Sequence, residues 1–259
     1  MHGPGHGCGP PGTASSGASF ANSNYSEALE SQMKIEVYSD IACPWCYLGE
    51  RRLERALKSF PGRDDVEVVF RPYQLDPSTP ERAVPLVPQL ERKFGANVGA
   101  MTKRITEAGK AEGIDFDWGR ALDVNTLTAH RLLRLAEQEY GAEAQRELAE
   151  KLFEAHFEEG GDIGDPGELT ALAVEVGLDP RRVAAYLASD EGLAETKAEI
   201  AAARDLGITA VPTFVIDEQY AVQGAQPPEI FLQVLGQARQ AGYNTTGHDI
   251  TEGRLMSDG

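Results

Sequence analysis

Cys43-Pro44-Trp45-Cys46 is the segment of this sequence best equipped for chemistry. Two thiols at this spacing serve either as half of a zinc site or as a pair for reversible thiol–disulfide exchange. Zinc needs four ligands, and from residue 33 onward there is no second Cys-x-x-Cys or Cys/His pair, so no metal is expected. Cys8 with His2 and His6 lacks a fourth ligand at zinc-like spacing. Placement favours exchange. The pair follows a strand-like run and opens a helix, which puts Cys43 near the N-cap, Pro44 at the first helical position and Cys46 one turn inside. The positive end of that helix stabilises a thiolate on an exposed Cys43, and Cys46 then resolves the mixed disulfide.

The elements that must hold the pair are legible around it. Lys34 to Tyr38 alternates polar and apolar residues as a strand does. After the pair, Leu53, Ala56, Leu57 and Phe60 fall on one helical face, and Pro61-Gly62 ends the helix. Val66 to Phe70 reads as a second strand. Helical spacing then runs near 87–112, 123–140, 143–159, 167–177, 180–188 and 191–206. Strand character returns at Thr213 to Ile216 and, across an Asp217-Glu218 turn, at Tyr220 to Val222. A final helix after Pro227-Pro228 carries Ile230, Phe231, Val234 and Leu235 on one face. Pro212, lacking an N–H, starts the third strand. The fold class is α/β: β-α-β, a large all-helical insertion, then β-β-α.

Composition narrows the functional classes. The 259 residues carry a formal charge of −17, which repels phosphate backbones and anionic headgroups. Nucleic-acid and membrane partners are therefore not expected, and no run of about 18 apolar residues is present. Three cysteines exclude a disulfide-stapled scaffold. Residues 1–32 are rich in Gly, Pro, Ser and Ala, without Lys or Arg, and read as a disordered tail rather than a signal peptide. Met33 reads as an alternative start, and the cytoplasm as the compartment. The expected division is tail 1–32, core 33–78, insertion 79–190, core 191–242 and a C-terminal tail 243–259.

The wording of several segments adds a resemblance. Tyr38-Ser39-Asp40-Ile41-Ala42-Cys43-Pro44-Trp45-Cys46-Tyr47-Leu48-Gly49, Phe70 to Leu75, Asn125-Thr126 with Ala129-His130-Arg131, Val211-Pro212-Thr213-Phe214 and Gly224-Ala225-Gln226 together resemble the DsbA-family thioredoxin fold. They are most similar to its FrnE-like oxidoreductases, relatives of 2-hydroxychromene-2-carboxylate isomerases and kappa-class glutathione transferases. The resemblance spans about Met33 to Gly242. It implies that Cys43 is the nucleophile, Cys46 the resolving thiol, and Pro212 a cis proline packed against the pair. It also implies that Val211 offers its backbone to an extended peptide or to glutathione. Pro44, Trp45 and Thr213 fall on that substrate surface. His130, on a helix with Leu127, Arg131 and Arg134, reads as a packed or solvent-facing histidine, with a polar group lining the cleft between helical block and core as the functional alternative. Glutathione-dependent relatives hold serine where Cys43 stands, which argues for redox exchange here. Some FrnE-like relatives carry a second cysteine pair near the C-terminus, whereas residues 226–259 hold none.

The implied activity is a disulfide reductase or isomerase acting on protein or small-molecule disulfides and recycled by a cellular thiol. No tightly bound cofactor is expected; glutathione is the expected co-substrate, and the resemblance implies a homodimer. Two readings compete: a glutathione-dependent isomerase or transferase, and a redox-switched chaperone. Elsewhere, Glu147, Glu150, Glu154, Glu158 and Glu159 read as a solvated acidic face, Trp118 as packing, and His156 as silent.

Overall fold

The computed structural model describes residues 32–251, with side chains to 241. The chain divides at residue 30 into two units, and the described residues belong to the second. The expected disordered tail, with Cys8, lies outside the described residues.

In the second unit, β1 (Met33–Ser39) lies at the centre of a sheet ordered β2-β1-β5-β6. β2 (Val66–Pro72) runs parallel to it with Ile35 opposite Val68, as a crossover through α1 (Pro44–Ser59) requires. β5 (Thr213–Ile216) pairs antiparallel on the other side, and β6 (Tyr220–Gln223) closes a hairpin onto it. The turn uses Asp217 and Glu218 at positive φ, the conformation that matches hairpin twist.

Alternation along β1 sends side chains to two different layers. Ile35 and Val37 join α1 and α9 (Pro228–Thr251) in the main core, with Leu48, Leu53, Ala56, Phe214, Phe231 and Leu235. Tyr38 points to the other face, where it meets Tyr73 and Ala203 of α8 (Leu193–Asp205). Helices therefore cover both faces. On α9 the buried stripe is Phe231, Leu235 and Ala238, while Ile230 is exposed. The helix continues to Thr251, past the expected end at 242, so the segment from 243 is not wholly tail.

Between β2 and α8 stand α2 (Leu86–Phe94), α3 (Val98–Lys110), α4 (Leu127–Tyr140), α5 (Ala142–Glu154), α6 (Pro166–Glu175) and α7 (Pro180–Leu187). Gly95 at φ +60 divides what the periodicity joins as one helix over 87–112. The insertion is not all-helical: β3 (Val84–Pro85) and β4 (Leu122–Asp123) form a two-residue antiparallel ribbon, too short to carry a sequence period. Asp165 and Asp179 cap α6 and α7 ahead of a proline at the first turn.

Two contacts lock the insertion to the core. Gln145 of α5 accepts from the Phe70 amide at 2.8 Å and donates to the Phe70 carbonyl at 3.0 Å, capping the edge strand β2 as a further strand would. Tyr47 of α1 stacks on Phe153 with centroids 5.2 Å apart, and its hydroxyl donates to Glu158 at 2.5 Å. The acidic face is thus only partly solvated. Glu158 holds Tyr47 and Glu150 pairs with Arg51 at 2.7 Å, while Glu147 and Glu159 are exposed. After α5 the chain makes a π turn, Ala155–Glu159, which buries His156. Trp118 stacks on Phe116 and donates to Thr106, which is the expected packing role.

Candidate active site

Cys43 is the N-cap of α1 and Pro44 its first residue. The Cys43 amide donates to the Asp40 carbonyl at 2.9 Å, and the Cys43 carbonyl accepts from Cys46 at 2.9 Å and Tyr47 at 3.3 Å. Both thiols are free. Cys43 is 5% exposed, less than the sequence suggests, because the loop before β5 lies over it. Its Sγ stands 3.9 Å from the Val211 carbonyl, the hydrogen bond a thiol can donate there. Cys46, at 1% exposure, is behind it. Burial pushes the Cys46 thiol well up, and the adjacent Cys43 pushes the same way; the Asp40 amide and the Ser39 hydroxyl act in opposition.

The Val211–Pro212 peptide is cis, as the resemblance implies. Its ring lies on α1 where Gly49 has no side chain: a Cβ there would meet Pro212 Cγ at 2.8 Å. The Gly224 amide donates to the Pro212 carbonyl at 2.7 Å, and Arg52 of α1 donates to the Ala225 carbonyl at 2.6 Å. Sequence elements more than 160 residues apart thus converge on one end of the sheet.

Other candidates sit differently. Trp45 is half-buried, with the Arg104 guanidinium of α3 over its ring at 5.5 Å, so the insertion covers part of it. The Thr213 hydroxyl turns back to the Ala210 carbonyl at 2.8 Å. His130 is 3% exposed and lines no open cleft: its Nε2 faces Asp40 Oδ1 at 3.4 Å. Asp40 also accepts from the Leu75 amide at 2.8 Å and the Ala42 amide at 3.4 Å. Burial raises the Asp40 carboxyl, but the His130 contact and charge, the Leu75 amide and the Thr126 hydroxyl outweigh it, so the carboxyl lies below its usual range.

Asp40 was hidden in the sequence because its partners are remote in the chain. Two other residues of the resemblance hold neighbouring segments in place. Asn125 accepts from Gln74 and the Leu127 amide and donates to the Thr79 carbonyl. Arg131 closes the end of α7 through the Tyr186, Ser189 and Glu191 carbonyls. Asn125 thus braces the segment after β2 against the start of α4, and Arg131 braces α4 against the end of α7. Among the described residues, no His, Cys, Asp and Glu group is arranged to hold a metal ion, and no helix is long and apolar enough to cross a membrane.

A cis proline against a thiol at a helix N-cap, on a sheet ordered β2-β1-β5-β6, defines a thioredoxin-fold thiol site. The chain belongs to the DSBA-like thioredoxin domain family, which matches residues 34–236. It is 39% identical to the probable DsbA oxidoreductase of Streptomyces coelicolor, over 80% of this chain and 89% of that one, with a TM-score of 0.73. The uncharacterized protein YwbO of Bacillus subtilis is 28% identical over 207 residues, 78% of this chain and 94% of that protein. The cytosolic disulfide reductase DsbM of Pseudomonas aeruginosa shares the fold at 18% identity, covering 80% and 99% of the two chains with a TM-score of 0.56.

Proposed function

We propose that this chain is a thiol–disulfide oxidoreductase that uses Cys43 and Cys46 to reduce or isomerise disulfides in the cytoplasm. The observation carrying this reading is the juxtaposition of Cys43 Sγ with the Val211 carbonyl beside cis Pro212, with Cys46 one helical turn deeper. The Cys43 thiolate attacks a substrate disulfide, one substrate sulfur leaves as a thiol, and a mixed disulfide remains. Cys46 then attacks Cys43 Sγ, closing the Cys43–Cys46 disulfide and releasing the second substrate thiol. A small thiol of the glutathione class returns the pair to the dithiol. The half-buried Val211 is the backbone against which an extended disulfide substrate lies.

Cys43→Ser abolishes turnover of a disulfide substrate, whereas Cys46→Ser accumulates mixed disulfides detectable by intact mass. A redox titration against glutathione gives the direction, measured relative to a cytosolic poise of roughly −220 to −260 mV. Normal turnover by the Cys43→Ser variant overturns the reading. Glutathione-dependent activity that survives loss of Cys46 replaces it with isomerase or transferase chemistry.

A further inference from the structure

Resolution requires Cys46 to lose a proton although it is 1% exposed and its burial favours the thiol. The polar groups facing its sulfur are the Cys43 thiol, the Asp40 amide and the Ser39 hydroxyl. Ser39 ends β1 at 3% exposure; its hydroxyl lies against the Cys46 thiol and has no other partner among the described residues. A hydroxyl both donates and accepts, so one side of the buried Ser39 hydroxyl is left unmet. Beside it lies a small cavity of about 10 Å³ lined by Ser39, Phe70, Arg71, Pro72, His130 and Leu133. That volume suits one water, and Ser39 and His130 are polar groups on its wall. His130 in turn faces the Asp40 carboxylate at 3.4 Å. Arg71, also on the wall, is already engaged by Glu36 at 2.9 Å and Glu137 at 3.0 Å.

We propose that Ser39 and His130 form the proton path of the resolving thiol, an inference that rests on the dithiol reading above. As Cys46 attacks, its proton passes to Ser39 Oγ while the Ser39 proton moves through one water to His130. The resulting imidazolium rests against the Asp40 carboxylate. The Cys46 electron pair forms the bond to Cys43 Sγ, the Cys43–substrate sulfur bond breaks, and the leaving sulfur departs as a thiolate. The reverse step, opening of the Cys43–Cys46 disulfide, returns the proton along the same path. The charged and titratable groups around the path are Cys43 of α1, Asp40 of the preceding turn, Arg71 of β2 and His156 of the π turn, whose ring lies within electrostatic reach of Asp40.

The test uses the full chain carrying Cys8→Ser. One equivalent of 5,5′-dithiobis(2-nitrobenzoate) forms the Cys43 mixed disulfide in mildly acidic buffer. A stopped-flow jump to a series of higher pH values then follows release of the second thionitrobenzoate. Ser39→Ala and His130→Gln slow this second release roughly tenfold to hundredfold at neutral pH, and the deficit shrinks as pH rises because hydroxide takes the proton directly. The first release, made by Cys43, keeps its rate in both variants, and Ser39→Thr, which restores a hydroxyl, regains most of the second. Second release at the parental rate in both Ser39→Ala and His130→Gln overturns the path. So does a loss that is equal in both phases at every pH, which marks a merely structural role. Absence of any second release in the parent protein sinks the dithiol reading itself.

Discussion

Two carboxyls flank the thiol pair along the chain, Asp40 before it and Glu50 one turn beyond Cys46, and they are buried to the same degree, at 2% and 3% exposure. Their charges differ. Asp40 is met by two backbone amides and the His130 ring, and it lies below the usual carboxylate range. Glu50 has an oxygen with no partner, and burial, with Glu150 adding repulsion, raises its carboxyl to about 8. It borders a pocket of about 290 Å³ between α1, β2 and α5. Depth alone therefore does not set the charge of a buried acid; the donors aimed at it do. The fold has supplied donors at the end of the sheet where the thiols sit, and withheld them one turn further on.

The comparison breaks most readily at Asp40. Asp40→Ala strands the Leu75 and Ala42 amides and the His130 ring, and should cost about 3–5 kcal/mol of unfolding free energy in urea. A loss below about 1 kcal/mol would mean that the network does not organise the turn.

Glu50 sharpens the contrast through pH. Its folded value lies above that of the unfolded chain, so the native state holds the extra proton and stability falls as pH rises from the ordinary carboxyl range toward about 8. Glu50→Gln removes this decline and should stabilise the protein above that pH by on the order of 1–2 kcal/mol relative to its effect in acid. Parallel melting curves for parent and variant across that window would refute it.

His156 is the smallest test and runs in the opposite direction. Neither ring nitrogen has a partner among the described residues, and burial lowers it to about 4, with the Asp40 charge opposing. The unfolded chain takes up the proton first, so stability drops as pH falls from the normal histidine range toward about 4. His156→Leu should flatten this acid limb by about 1 kcal/mol, read from acid-induced loss of near-ultraviolet circular dichroism. An unchanged acid midpoint would show that His156 is not neutral in the native state.

Much of the site was legible because its signals are local. The N-cap position of Cys43 and Pro44 at the first turn follow from a strand, a short turn and an amphipathic helix in immediate succession. The hairpin after Pro212 follows from alternation around Asp217-Glu218. The family resemblance added the cis proline, which spacing alone leaves as a strand start. What stayed hidden is non-local. The contact between Asp40 and His130 spans 90 residues, and Gln145 reaches Phe70 across 75. The glutamates of α5 and the π turn have a solvated pattern, yet Glu158 and Glu150 are recruited by Tyr47 and Arg51 of α1.

From its residues alone this protein has its strands, its thiol-bearing helix and the chemistry that two thiols at that spacing permit, because these depend on short-range periodicity and capping. The tertiary structure decided which buried groups are charged, how far Cys43 is shielded, and that Ser39 and His130 line the same small cavity. Those properties depend on donors and desolvating side chains brought from distant segments, and no local pattern encodes that proximity.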